Sequence, residues 1–121
     1  MSLKRVLIVD DEPAIREVIR FELEDRPFEF FEASSAREAV EILKNNTIDI
    51  IVSDVRMSGG DGVYLLNELR SIPGAPPVIM MSGFSDHSEE GLIEKGALRL
   101  LKKPTDLQNI GPILDETLAR R

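Results

Sequence analysis

The feature that most constrains this chain is a change of hydrophobic period, repeated along its length. Short unbroken apolar runs alternate with segments whose apolar residues recur every three or four positions. Val6-Leu7-Ile8-Val9 is the first run and reads as a strand buried on both faces. Ile48 with Ile50-Ile51-Val52 is another, Val78-Ile79-Met80-Met81 a third, and Leu98, Leu100 and Leu101 suggest a fourth. Phe28 to Ala33 is a weaker run between the first two.

The intervening segments carry helical stripes. Ala14, Ile15, Val18, Ile19 and Leu23 share one stripe; Ala36, Ala39, Val40 and Leu43 share the next. Ser35, with Glu38 three residues on, opens that second helix as a capping box. Val63, Leu66 and Leu69 follow Asp61, and a weaker helix spans Asp86 to Lys95 with Gly91 inside it. The last opens at Asp106 and carries Leu107, Ile110, Leu114 and Leu118. Strand and helix thus alternate five times, which predicts a parallel sheet with helices on both faces and right-handed crossovers. Pro73 to Pro77 reads as the loop before the fourth strand.

A length of 121 residues fits one domain. The net charge of −7 repels phosphate backbones, so direct nucleic-acid binding through this chain is not expected. The absence of Cys removes disulfides, thiolate nucleophiles and Cys-based metal sites, and fits a reducing compartment. No apolar run is long enough for a membrane span or a signal peptide.

In an open α/β sheet, ligands bind beyond the carboxyl ends of the strands. Those ends read Asp10-Asp11-Glu12, Ser53-Asp54, Ser82-Gly83 and Lys102-Lys103-Pro104. Taken singly, each has an ordinary explanation. Asp11 or Glu12 can cap the first helix, Ser82 can serve a turn, and Lys103 can sit on a solvated face. Together they bring carboxylates, a hydroxyl and an ammonium to one rim. Carboxylates this close repel, and a hard divalent cation such as Mg²⁺ relieves that repulsion while keeping waters that phosphate oxygens can replace.

As a set, Val6-Leu7-Ile8-Val9-Asp10-Asp11-Glu12-Pro13, Ile51-Val52-Ser53-Asp54-Val55-Arg56-Met57 with Gly60-Asp61-Gly62, Ile79-Met80-Met81-Ser82-Gly83 and Lys103-Pro104 resemble the response-regulator receiver domain of two-component signalling. The resemblance covers about 4–119, a single receiver domain with no effector domain in this chain. It implies a flavodoxin-like, doubly wound five-stranded parallel sheet of order 2-1-3-4-5 with five helices. It further implies a phosphorelay protein rather than an enzyme, one that assists only its own phosphorylation and dephosphorylation. Asp54 would accept a phosphoryl group as an aspartyl phosphate. Asp11, Asp54 and the backbone carbonyl of Arg56 would bind Mg²⁺, with Asp10 holding a metal-bound water. Ser82 and Lys103 would contact phosphoryl oxygens. The implied partners are a histidine kinase or phosphotransfer protein and a downstream protein or effector domain, in the cytoplasm without membrane contact. The implied switch moves the face made by helix four, strand five and helix five. A phosphorylation-independent interaction module on the same fold is the alternative. A hydrolase of the haloacid-dehalogenase type is not expected, because it needs a second Asp where Arg56 stands.

The chain departs from the family pattern in several places. Leu100 replaces the usual aromatic residue three before the motif lysine and is read as core filling, and Ser58 replaces a common proline. Gly111-Pro112 falls within the last helix, so either that helix bends or Asp106 to Ile110 forms a separate turn and the main helix starts at Pro112. Arg56 and Phe84 are expected to shield the phosphoryl group from water; a half-life unchanged by Arg56→Asn and Phe84→Ala would refute this. His87, the single histidine, is read as a surface residue.

Overall fold

The computed structural model describes residues 3–55, 62–83, 89–103 and 106–120. The elements run β1 (Lys4–Val9), α1 (Pro13–Leu23), β2 (Phe28–Ala33), α2 (Ala36–Asn45), β3 (Ile50–Asp54), α3 (Gly62–Leu69), β4 (Val78–Ser82), α4 (Glu89–Glu94), β5 (Arg99–Lys102) and α5 (Ile110–Ala119). A 3₁₀ turn at Leu107–Asn109 precedes α5. All four strand pairings are parallel, and the sheet order is β2-β1-β3-β4-β5, as expected.

The strand order explains which apolar runs were clear. β3 and β4 are buried at every position and lie inside the sheet. β2 and β5 form the edges and keep exposed or half-buried positions, so their runs are interrupted by Glu29, Glu32 and Arg99.

Alternation along the strands builds two cores. Leu7, Val9, Ile51 and Met80 face α2 and α3, meeting Ala36, Ala39, Leu65 and Leu66. Val6, Ile8, Ile50, Val52, Ile79, Met81 and Leu101 face the other way, onto Ile19 and Leu23 of α1 and Ile110 and Leu114 of α5. Ile19 and Leu23 are fully buried, each contributing roughly 1.5–3 kcal/mol. The buried stripe of α1 is narrower than its periodicity suggests. Ala14 and Val18 are exposed, because only the line Ile15-Ile19-Leu23 meets the sheet.

Local signals shape the helix starts. Ser35 Oγ accepts from Glu38 N–H at 3.1 Å, the first half of the expected capping box. The second half is altered: the Glu38 carboxylate accepts from Ser34 Oγ at 3.2 Å. At α5 a separate 3₁₀ turn does form, over Leu107–Asn109, but the main helix starts at Ile110 rather than at the expected Pro112. Pro112 therefore lies in the first turn, where its missing N–H has no intrahelical acceptor to lose. Leu100 is half-buried against the core of the α2–α3 face, in line with core filling. Among the described residues, no helix is long and apolar enough to cross a membrane.

Candidate functional site

The period of two that builds the cores also aims the polar residues at the strand ends. Val6 and Ile8 lead to Asp10, Ile50 and Val52 lead to Asp54, and Leu101 leads to Lys103, all on the α1–α5 side of the sheet. Lys103 reaches over β4 to both carboxylates. Its Nζ lies 3.2 Å from Asp10 Oδ2 and 3.2 Å from Asp54 Oδ2. The three groups are withdrawn from water: Asp10 is fully buried, Asp54 is 6% exposed and the Lys103 side chain 12%. Burial opposes the charge on Lys103, but attraction by Asp10 and then Asp54, with their hydrogen bonds, outweighs it and holds the ammonium above the ordinary lysine value.

Asp10 is the most constrained residue of the group. Its N–H donates to Ala33 C=O at 3.1 Å and its Oδ1 accepts from Glu12 N–H at 2.9 Å. That second bond does the work of a cap, since the Glu12 side chain itself caps nothing. Its carbonyl accepts from Arg16 Nη1 at 2.6 Å. Asp11 and Glu12 are exposed, and their carboxylates fall with that of Asp10 in one acidic group whose oxygens lie within 4.8 Å of one another. The buried Ser82 ends β4, and its carbonyl accepts from Lys103 N–H at 2.9 Å. Asp106 braces the end of β5 from both sides: its Oδ2 accepts from Lys102 N–H at 2.9 Å and its N–H donates to Lys102 C=O at 2.8 Å.

Two carboxylates against one ammonium leave the buried cluster with excess negative charge beside an exposed acidic turn. Every side-chain donor there is a hard oxygen, the set that Mg²⁺ accepts. The profile of the response regulator receiver domain family matches residues 6–115. The chain belongs to the response regulator receiver domain family.

Receiver domains of this kind are the signalling modules of two-component phosphorelays, and the relatives agree. The transcriptional regulatory protein ZraR of Escherichia coli K12 is 30% identical over 115 residues, covering 94% of this chain and 26% of its own. This chain thus spans about a quarter of the length of ZraR and of the similar regulators GlrR and AtoC. The receiver domain of a Clostridium thermocellum response regulator superposes with a TM-score of 0.87 at 30% identity, covering 98% and 96% of the two chains. The Thermotoga maritima response regulator TrrA, solved in complex with Mg²⁺–BeF, superposes with a TM-score of 0.83 at 26% identity, covering 95% and 99%.

Of the residues singled out in the sequence, Asp10, Asp54 and Lys103 meet directly in the receiver fold, and Asp11 and Ser82 flank them. The expectations for Arg56, Ser58, Phe84, His87 and Pro104 lie outside the described residues. Sequence reading missed Arg16 and read Glu12 only as a cap. The available signal was position: Arg16 is a cation less than two helical turns past Asp10, and Glu32 is a charge near the end of an apolar strand.

Proposed function

We propose that residues 4–119 act as a Mg²⁺-dependent phosphoryl acceptor in the cytoplasm, taking the group on Asp54 from a histidine kinase or phosphotransfer protein. The observation that carries this reading is Lys103, whose partly buried ammonium lies 3.2 Å from both Asp54 and Asp10. An ammonium placed against the acceptor carboxylate is where transfer of a phosphoryl group needs positive charge.

In the transfer, one Asp54 oxygen forms a bond to phosphorus as the bond from phosphorus to the donor's histidine nitrogen breaks, leaving the electron pair on nitrogen. Lys103 moves from its shared carboxylate contacts to a phosphoryl oxygen, as a single-point cation suits. The Ser82 hydroxyl donates to another. Asp10 and Asp11, grouped with Glu12, and Asp54, which shares Lys103 with Asp10, offer the oxygen ligands a hard dication takes; by the family resemblance the backbone carbonyl of Arg56 would complete the set. Bound there, Mg²⁺ supplies the charge that neutralises the equatorial phosphoryl oxygens.

The new dianion draws Ser82 and Lys103 together and biases a pre-existing equilibrium of the face made by α4, β5 and α5, which a downstream protein or effector domain reads. Leu100 has no ring to rotate, so the switch in this chain does not run through an aromatic side chain at that position.

The test is incubation with Mg²⁺ and acetyl phosphate followed by intact mass measurement. Wild type gains one phosphoryl group, EDTA prevents the gain, and Asp54→Asn shows none. An unmodified wild type, or equal modification of Asp54→Asn, refutes the assignment.

A further inference from the structure

We infer that Arg16 is a positioning residue for the acidic turn after β1, holding the Asp10 backbone through a guanidinium that Glu32 fixes in place. This rests on the proposed Mg²⁺-dependent chemistry at Asp54 and adds to it a residue outside the acidic pocket.

The geometry is a chain of contacts from β2 through α1 to the turn. Arg16 Nη1 donates to Asp10 C=O at 2.6 Å, and Arg16 Nε donates to Glu32 Oε1 at 2.9 Å. The other Glu32 oxygen accepts from Arg20 Nη1 at 3.0 Å, and Arg20 in turn lies over the Phe30 ring, 5.7 Å from its centroid. Asp10 is thereby held at every polar atom: N–H by Ala33, carbonyl by Arg16, Oδ1 by Glu12 N–H and Oδ2 by Lys103. The Asp10 carbonyl belongs to the peptide that leads into Asp11. Fixing that peptide plane fixes the position of the Asp11 Cα and narrows the directions in which its exposed carboxylate can leave the turn.

Arg is suited to the task and Lys is not. The planar guanidinium presents separate N–H groups to a carbonyl and a carboxylate at once, whereas an ammonium is a point charge on a flexible stem. The Arg16 side chain is largely buried, at 17% exposure, and Glu32 is 34% exposed. The Glu32 end of the pair is open to solvent, which screens the attraction and limits what the pair adds to stability, so its consequence is orientation more than fold.

Charge and position predict opposite signs, which makes the inference testable. A guanidinium acting only through its charge repels a dication, so its removal would tighten Mg²⁺ binding. A guanidinium that orients the ligand turn loosens binding when removed. Residues that orient metal ligands typically change affinity by about 10- to 100-fold when lost.

The experiment is a Mg²⁺ titration of wild type, Arg16→Lys, Arg16→Met and Glu32→Gln, followed by the amide resonances of Asp11 and Glu12 and paired with thermal unfolding in EDTA. Arg16→Lys keeps the charge and is expected to bind Mg²⁺ about 10-fold more weakly, with a melting temperature close to wild type. Arg16→Met weakens binding despite the lost positive charge, and Glu32→Gln weakens it by less. Mg²⁺ affinity unchanged in Arg16→Lys, or tightened in Arg16→Met, overturns the inference. Should Arg16→Met fail to fold, Arg16→Lys and Glu32→Gln decide. A wild type that binds no Mg²⁺ overturns the phosphoacceptor reading itself, which separates the two failures.

Discussion

Gly62, the first residue of α3, is packed against the backbone carbonyl of Asp54: a β-carbon at position 62 would stand 2.7 Å from that oxygen and 3.1 Å from Val55 Cα. Gly62 N–H also donates to Val55 C=O at 2.8 Å, so α3 starts directly on the strand end that presents Asp54. The Met80 methyl, which a β-carbon would meet as well, can swing aside. The Asp54 carbonyl is backbone at the end of β3, held by Ser53 Oγ at 3.0 Å, and cannot. Gly62→Ala is therefore expected to destabilise the fold by about 1–3 kcal/mol, the usual cost of overpacking a core. Phosphoryl acceptance should slow with it, because the strain falls on Asp54. Urea denaturation and acetyl phosphate labelling check both, and a wild-type melting temperature would contradict the packing argument.

Lys103 gives the fold a dependence on alkaline pH. Its folded pKa is raised above the ordinary value of 10.5, because Asp10 and Asp54 outweigh the desolvation that lowers it. A base whose pKa rises on folding adds stability that is fully present below the unfolded pKa. That stability is lost as pH climbs through the folded value. Metal-free wild type should thus lose stability above about pH 10.5 in excess of a Lys103→Met variant. At neutral pH, Lys103→Met removes the ammonium shared by two buried carboxylates and should cost about 3–5 kcal/mol. Mg²⁺ should recover part of this by returning positive charge to the pocket. Chemical denaturation against pH, with and without Mg²⁺, measures all three effects. Parallel pH profiles for wild type and Lys103→Met would exclude the assigned coupling.

The start of α5 sets the consequence of changing Pro112. A proline inside a helix costs about 3 kcal/mol, so its removal would stabilise the fold if α5 ran unbroken from Asp106. Pro112 instead sits in the first turn, with Asn109 at the N-cap. Its ring restricts the unfolded chain without breaking a helical hydrogen bond. Pro112→Ala should lower stability by about 0.4–1 kcal/mol. A clear gain in melting temperature would show that the proline strains the helix after all.

These cases show what was legible in the sequence. β1, β3 and β4 lie inside the sheet, so burial on both faces wrote them as unbroken apolar runs. The same strands deliver Asp10 and Asp54, and the period of two keeps them on the side that Lys103 reaches. Edge strands read faintly because solvent admits Glu29, Glu32 and Arg99. The helical period of α1 defined a stripe, but not that Ala14 and Val18 would lie outside the contact with the sheet. The Arg16 contact was hidden for a related reason. Its partner Glu32 lies on β2, and no local pattern says which cation a β2 carboxylate will meet.

Gly111 supplies a contrast with Gly62. A β-carbon there would lie 2.5 Å from Arg26 Cζ, so the guanidinium occupies the space the glycine leaves open. Arg26 reaches this notch from the α1–β2 connection and pairs with Asp115 Oδ2 at 2.9 Å, one helical turn beyond Gly111. The obstacle is the far end of a flexible side chain, and Asp115 is half-exposed. Moving Arg26 away forfeits an ion pair of about 0–1 kcal/mol, while Ala gains up to about 1 kcal/mol over Gly in a helix. The opposing terms predict a change within about 1 kcal/mol for Gly111→Ala, well below that for Gly62→Ala. The two contributions separate in a double-mutant cycle. In an Asp115→Asn background the ion pair is already lost, so Gly111→Ala should there be more favourable than in wild type. Equal effects in both backgrounds would show that Arg26 keeps Asp115 when the notch is filled.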